Sequence, residues 1–219
     1  MSGLTEWRIE LISPDDEGCR FYLDHYKPFR LAALEQDPDA FGSAYDGEAR
    51  FDDNDWLSRI RNPLVKTFVA VHLHDRKVLS ATSLIGPMPN PDSNPASNPF
   101  QASSEMRDAS DHHQNHQNHG EASSVSFQIT GVYTLPEARH QGLAKILAET
   151  AIQEAVVYAK QHGKRLQLSL VVYTSNGAAI SFYENCGFVA DAEGPRESFN
   201  PHKNASANEI CMHYLKSPE

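Results

Sequence analysis

Apolar and polar positions along the chain change period several times, and each change marks an element. Trp7–Ile12 alternates large and charged residues, as a half-buried strand does. Ser13-Pro14-Asp15-Asp16 reads as a helix start: Ser13 as the cap, Pro14 at the first helical position, acids in the first turn. Phe21, Phe29, Leu31 and Leu34 carry a broken helical pattern to Asp37-Pro38, and a short helix from Asp53 to Arg61 is ended by Asn62-Pro63. Residues 66–73 (KTFVAVHL) and 77–85 (KVLSATSLI) flank His74-Asp75-Arg76 as a β-hairpin. The second half begins with a strand over 124–134 (SVSFQITGVYT), rich in β-branched and aromatic residues. A long helix follows over 142–162, with apolar residues at 143, 146, 147, 151, 152, 155, 156 and 159 and Gly163 as its stop. Residues 166–172 form a strand, 176–185 a short helix ending at Gly187, and 188–190 and 209–215 the last strands. This order of strands and helices predicts an α/β or α+β sheet with parallel pairing in its middle.

Residues 87–124 break every period. They hold five prolines, seven serines and five asparagines with almost no aliphatic side chains. Such a segment cannot bury enough apolar surface to offset the entropy of ordering it, so it reads as a disordered insertion in a surface connection. The chain is therefore expected to be one domain over 1–219, its halves sharing one sheet. His112, His113, His116 and His119 lie within the insertion; a metal site needs fixed geometry, and none is expected here.

Composition narrows the function. With 19 Lys+Arg against 29 Asp+Glu the net charge is −10, which makes nucleic acid or an anionic membrane a poor main partner. No apolar run approaches the ~20 residues of a membrane span, and the first residues carry no apolar leader. Three widely spaced cysteines, Cys19, Cys186 and Cys211, suit a reducing compartment, with a cytoplasmic location expected and the nucleus as alternative.

The junction Val132–Ala144 (VYTLPEARHQGLA) carries chemistry. A strand ends, a helix begins, and between them stand Arg139 and the small residues Gly142 and Ala144. A helix N-terminus presents unpaired N–H groups and about half a positive charge, which suits a phosphate. Small residues let that phosphate approach the backbone, and Arg139 adds a permanently charged bidentate donor. The bland alternative is a strand–turn–helix with a surface Arg and a packing Gly. Further on, Asn176 and Tyr183 are seven residues apart, two turns of one helix face. Taken alone, Tyr183 is an ordinary core tyrosine.

Together the two segments resemble the GNAT superfamily of acyl-CoA-dependent N-acetyltransferases. Its pattern [RQ]-x-x-G-x-[GA] is met by Arg139, Gly142 and Ala144, preceded by Val132, Tyr133 and Pro136. The later L-x-V-x-x-x-N-x-x-A-x-x-x-Y-x-x-x-G-F is met by Leu170, Val172, Asn176, Ala179, Tyr183, Gly187 and Phe188. Arg30-Leu31-Ala32-Ala33-Leu34 and Pro38–Ser43 are similar to one subgroup of the family with R-L-x-A-L and P-x-A-F-G-S. The resemblance implies a mixed, mostly antiparallel sheet of about six to seven strands flanked by helices, with a V-shaped opening between two central parallel strands.

It also implies a site. Backbone groups of Val132, Tyr133 and Thr134 would hold the pantetheine arm and thioester carbonyl of acetyl-CoA. Arg139, His140, Gln141, Gly142, Leu143, Ala144 and Lys145 would cradle the pyrophosphate, Asn176 would touch the cofactor arm, and Tyr183 would act as general acid toward the leaving thiolate. Arg30, Phe41, Ser43 and Tyr45 would shape the acceptor pocket. A primary amine is mostly protonated at neutral pH and must lose a proton before it attacks. Some family members place a carboxylate near the position of Gly131; this chain has none there, and Glu48, Asp52 or a water held near Tyr133 are the candidate bases, Glu48 first. The expected acceptor is a small-molecule amine, which the acidic balance mildly favours as a cation, with a homodimer by analogy. The alternatives are a protein or peptide acceptor, a non-catalytic acyl-CoA-binding module, or an interaction protein working through its insertion.

Overall fold

A computed structural model describes residues 6–88 and 123–215. The strands are β1 (Trp7–Leu11), β2 (Val65–His72), β3 (Val78–Met88), β4 (Ser124–Thr134), β5 (Arg165–Tyr173), β6 (Phe188–Ala190), β7 (Arg196–Asn200) and β8 (Ala205–Tyr214). They form one sheet of order β1-β2-β3-β4-β5-β8-β6, with β7 paired to β8. The expected mixed, mostly antiparallel sheet is present: β4 and β5 pair in parallel and the remaining pairs are antiparallel. Among the described residues it has eight strands, one beyond the expected six to seven. The unexpected one, β7, reads RESFN and carries no apolar alternation to betray it.

The N-terminal helices run as α1 (Asp16–Phe21), a π-helical turn (Tyr22–Tyr26) and α2 (Lys27–Gln36) without a break in the chain. The π turn accounts for the broken period. The Lys27 N–H bonds back to the Tyr22 carbonyl, five residues earlier, and the Pro28 that follows has no N–H to give. The extra residue brings Tyr22, Tyr26, Phe29, Arg30, Ala33 and Leu34 to the buried side. The cap of α1 is Asp15, not Ser13: the Asp15 carboxylate accepts from the Gly18 N–H at 2.8 Å, a charge-assisted bond stronger than a neutral hydroxyl offers. Ser13 instead donates to Asp15. Then follow α3 (Tyr45–Glu48) and α4 (Asp53–Ile60), the latter opened by a capping box of Asp52 and Asp55.

Helix α5 (Leu143–Gln161) packs on β2–β5, and α6 (Gly177–Asn185) runs from β5 to β6. The buried seam of α5 includes Leu143, Leu147, Ala148, Ala151, Ile152, Ala155, Val156 and Ala159. Four alanines there let the helix lie close to the sheet, while each buried leucine contributes about 1.5–3 kcal/mol. Ile146, expected in this seam, lies at its exposed edge instead. Gly163, at φ 61°, ends the helix as expected. Phe127 of β4 meets Tyr158 of α5, whereas Tyr133 of β4 meets Phe29 of α2 and Phe41, on the opposite face.

Two irregularities of β4 open the sheet. The pairing with β5 stops at Gln128–Ser169. On the other side, Ser83 pairs Thr130 and Ala81 pairs Tyr133, so Gly131 and Val132 together face the single residue Thr82. Gly131 lies at φ 63°, the left-handed conformation that such a bulge demands and that glycine adopts without a steric cost. The bulge bends β4 away from β5. The insertion expected over 87–124 falls mostly outside the described residues, though Pro87, Met88 and Ser124 belong to strands. Among the described residues, no helix is long and apolar enough to cross a membrane.

Candidate active site

Two cavities flank the opening between β4 and β5. The larger, 1070 Å³, lies between the end of β4, the start of α5 and the start of α6, and it is lined by Val132, Tyr133, Thr134, Arg139, His140, Gly142, Leu143, Ala144 and Lys145. The smaller, 210 Å³, lies under the N-terminal helices and is lined by Tyr22, Tyr26, Arg30, Phe41, Ser43, Arg59, Gln128, Thr130 and Glu209. Val132, Asn176, Ala179 and Tyr183 line both. The splayed strands thus form a passage whose two chambers meet at Val132 and Tyr183.

The larger chamber fits a phosphate-bearing ligand. Gly142 caps α5 at φ 79° without offering a side-chain acceptor to the helix, so the first N–H groups of α5 are left for a ligand. His140, at φ 63°, is the other left-handed residue of the turn. A Cβ added at Gly142 would meet nothing within 4 Å, so the space beside the helix end is open. The first turn of α5 has no acid, and Lys145 stands within it. Of the residues expected at the pyrophosphate, Gln141 alone is absent from the cavity wall.

Arg139 does something the sequence did not show. Its guanidinium is engaged within the protein: Nη2 donates to Asp37 Oδ2 at 2.6 Å and Nε to the Thr134 carbonyl at 3.1 Å. Tyr133 donates its hydroxyl to the same Asp37 oxygen at 2.6 Å. That hydrogen bond comes first in holding the Asp37 carboxyl below its usual range, ahead of Arg139. Burial and the Asp37 contact push Tyr133 up to about 12. Asp37, at the end of α2, therefore ties the N-terminal helices to the turn before α5. Sequence reasoning missed it because a lone acid before a proline carries no motif.

Tyr183 sits on α6 among Phe182 and Phe188. Burial raises its pKa well above the ordinary value, so the hydroxyl keeps its proton at neutral pH and can donate it. Asn176 caps α6, accepting from the Ala179 N–H at 3.1 Å.

Of the four residues proposed from the sequence for the acceptor side, Arg30, Phe41 and Ser43 line the smaller chamber together. Tyr45 is outside its wall, exposed on α3. Glu48 is also elsewhere in role. Arg30 grips both its oxygens, Nη2 to Oε1 at 3.0 Å and Nε to Oε2 at 3.2 Å, and Arg59 Nη1 adds a third bond at 3.0 Å. Burial alone would raise the Glu48 carboxyl, but the two guanidinium groups outweigh it and hold it at about 2. Such a group is a poor proton acceptor, which argues against Glu48 as the base. Asp52 is engaged as the cap of α4. The acid that faces this chamber is Glu209 of β8, which the sequence reading overlooked. Its one signal is a charge in the middle of an otherwise neutral strand, ASANEICMHY.

The turn between β7 and β8 closes over the chamber. Asn200 Nδ2 donates to the Gly42 carbonyl at 2.7 Å and to Tyr173 Oη at 3.0 Å, and Lys203 Nζ donates to the Pro38 carbonyl at 2.6 Å. The rim before α3 and the β7–β8 turn are thereby bridged.

The fold recurs in solved structures. Arabidopsis thaliana NAA60 in complex with acetyl-CoA aligns at a TM-score of 0.57, with 16% identity over 95% of this chain and 98% of that one. The fold matches GNAT-like folds. The acetyltransferase of GNAT family from Streptococcus pneumoniae aligns at 0.55, with 16% identity over 96% and 100% of the two chains. The ribosomal-protein-alanine N-acetyltransferase from Brucella melitensis aligns at 0.56, with 17% identity over 95% and 99%. In sequence, the acetyltransferase (GNAT) family matches residues 112–188, the stretch that carries β4, the turn, α5, β5 and α6. A comparison with curated proteins finds no match.

Proposed function

We propose that this chain is an acetyl-CoA-dependent N-acetyltransferase acting on a small primary amine. One observation carries the reading: a phosphate-suited chamber and an acceptor chamber meet at Val132 and Tyr183 in the splay between β4 and β5. Bound there, acetyl-CoA supplies an acetyl group activated as a thioester. The open N–H groups at the start of α5 bind the pyrophosphate. Past Gln128, the edge of β4 no longer pairs with β5 and offers its backbone groups to the pantetheine arm and thioester carbonyl. Tyr183, kept neutral by burial, donates its proton toward the sulfur.

A small acceptor is favoured over a protein one by the bridge at Asn200 and Lys203, which closes the rim that an extended peptide would cross. The 210 Å³ chamber points the same way, lying below the ~300–1,000 Å³ of drug-sized sites. One structural neighbour is a ribosomal-protein-alanine N-acetyltransferase by name, but an identity of 17% carries the fold alone.

The test is release of free CoA from acetyl-CoA on addition of spermidine, glucosamine or ethanolamine. The account expects amine-dependent release, with Tyr183→Phe lowering kcat by about 10–100-fold at unchanged acetyl-CoA affinity. Wild-type turnover in Tyr183→Phe across the pH range would remove the acid role.

A further inference from the structure

The sequence offers no carboxylate at Gly131, and the structure commits Glu48 to two arginines and Asp52 to the cap of α4, so neither carboxylate named so far serves the reaction proposed above as proton acceptor. We propose that Glu209 is that acceptor, taking the proton from the ammonium of the bound amine. This rests on the reading of the chain as an amine acetyltransferase.

Position comes first. Glu209 of β8 pairs with Tyr173 of β5 on one side and with Arg196 of β7 on the other. It lies in the wall of the smaller chamber, which also contains Val132 and Tyr183. A carboxylate there faces the acceptor side of the passage, and Tyr183 stands where the two chambers meet. Acid and base thus belong to different elements on one cavity.

Environment comes second. Glu209 is half-buried. Burial raises its carboxyl above the usual range, and the hydrogen bond from Ser198 only partly offsets this. A raised carboxyl is a better proton acceptor than an ordinary one. Several charged or titratable groups surround it. Tyr173 lies on β5, and its own pKa is raised by burial first and by Glu209 among the rest. Arg196 lies on β7 and pairs with Glu193. Cys211 lies two residues along β8, His202 lies in the β7–β8 turn, and Arg30 and Arg59 with Glu48 lie across the chamber. Nearest in the sheet is Arg196, already matched by an acid, so Glu209 is not committed to a cation as Glu48 is.

The protons then balance. An ammonium acceptor loses two protons in becoming an amide. The first passes to the Glu209 carboxylate, freeing the nitrogen lone pair. The carbon–nitrogen bond forms as the carbon–sulfur bond breaks, and the leaving sulfur takes the Tyr183 proton. The second nitrogen proton restores the Tyr183 hydroxyl, and Glu209 releases the first to solvent.

Glu209→Gln keeps an oxygen for Ser198 but cannot take a proton. Against the same three amines, it is expected to lose at least about 100-fold in kcat and the acidic limb of the kcat/KM–pH profile. Its thermal midpoint and acetyl-CoA affinity should not change, and Glu209→Asp should recover part of the rate. A second readout needs no acceptor: the carboxyl ¹³C signal that disappears in Glu209→Gln should titrate above the usual ~4.3 of glutamate. A Gln variant within about twofold of wild type with its acidic limb intact overturns the assignment while leaving the acetyltransferase reading in place. A carboxyl signal titrating in the ordinary range overturns it equally. Absence of turnover of every amine by the wild type removes both.

Discussion

Arg30, Glu48 and Arg59 form a buried ionic cluster in which two guanidinium groups outweigh the effect of burial on the carboxylate. All three guanidinium–carboxylate bonds lie between 3.0 and 3.2 Å, and the side chains of Arg30 and Glu48 are 9% and 3% exposed. Phe41 lies under Arg30 and Phe51 under Arg59, with ring centroids 4.6 and 4.8 Å away. The sequence suggested a base at Glu48 because an acid near R-L-x-A-L and A-F-G-S is conspicuous; only the fold shows that two cations already hold it. Its role is to fix the floor of the smaller chamber, whose wall Arg30 and Arg59 join. Removing one member of a buried ionic cluster leaves the others uncompensated, at a cost of about 3–5 kcal/mol. Glu48→Gln should therefore lower the urea unfolding free energy by that amount. The sign with pH follows from the depressed carboxyl at about 2. Its stabilisation is complete above the unfolded value near ~4.3 and is lost as pH falls from there toward 2. Wild type should lose stability across that window, and Glu48→Gln should lose less. A variant as stable as wild type with the same acid profile would show the cluster to be idle.

At the scale of elements, legibility tracked how local each signal was. The β4–turn–α5 unit was readable because an apolar strand, a glycine and an amphipathic helix follow one another within 40 residues. The same holds for β5 and α6. The π turn before α2 was visible only as a fault in the period, since one inserted residue rotates everything after it. The bulge at Gly131 and the strand β7 were not readable at all. A bulge is a relation between two strands, and the polar residues of β7 find their place through β8 and Gly42. Asp37 and Glu209 were missed for the same reason: each is a single acid that acquires meaning from partners far along the chain. The β3–β4 pair makes a further point. Met88 pairs with Ser126, so the two strands already stand side by side where residues 89–122 depart and return. Replacing 89–122 by a short Gly/Ser turn should shift the thermal midpoint by less than about 3 °C and leave acetyl-CoA affinity unchanged. A variant that fails to fold or to bind would show that the segment belongs to the domain's core or its site.

For the whole molecule, the fold's contribution is to place two unlike chambers on one passage. The sheet must split for this, and it does so where the parallel pairing of β4 and β5 ends. Helix α5 brings its uncapped N-terminus to one side, and the N-terminal helices bring the arginine–glutamate floor to the other. The −10 net charge does not contradict an anionic ligand, because the binding field comes from a helix end and local backbone groups rather than from the molecule as a whole. The central claim is that this passage takes acetyl-CoA with its pyrophosphate at Gly142. It is tested most directly by calorimetric titration of acetyl-CoA into the wild type, Gly142→Asn and Gly142→Glu. Asn tolerates the left-handed backbone that position 142 requires, and the space beside it is open. The account predicts saturable binding by the wild type, a modest loss in Gly142→Asn, and a loss of at least about tenfold in a folded Gly142→Glu, whose charge would face the pyrophosphate. Equal binding by Gly142→Glu and wild type, or no binding by the wild type, would contradict it.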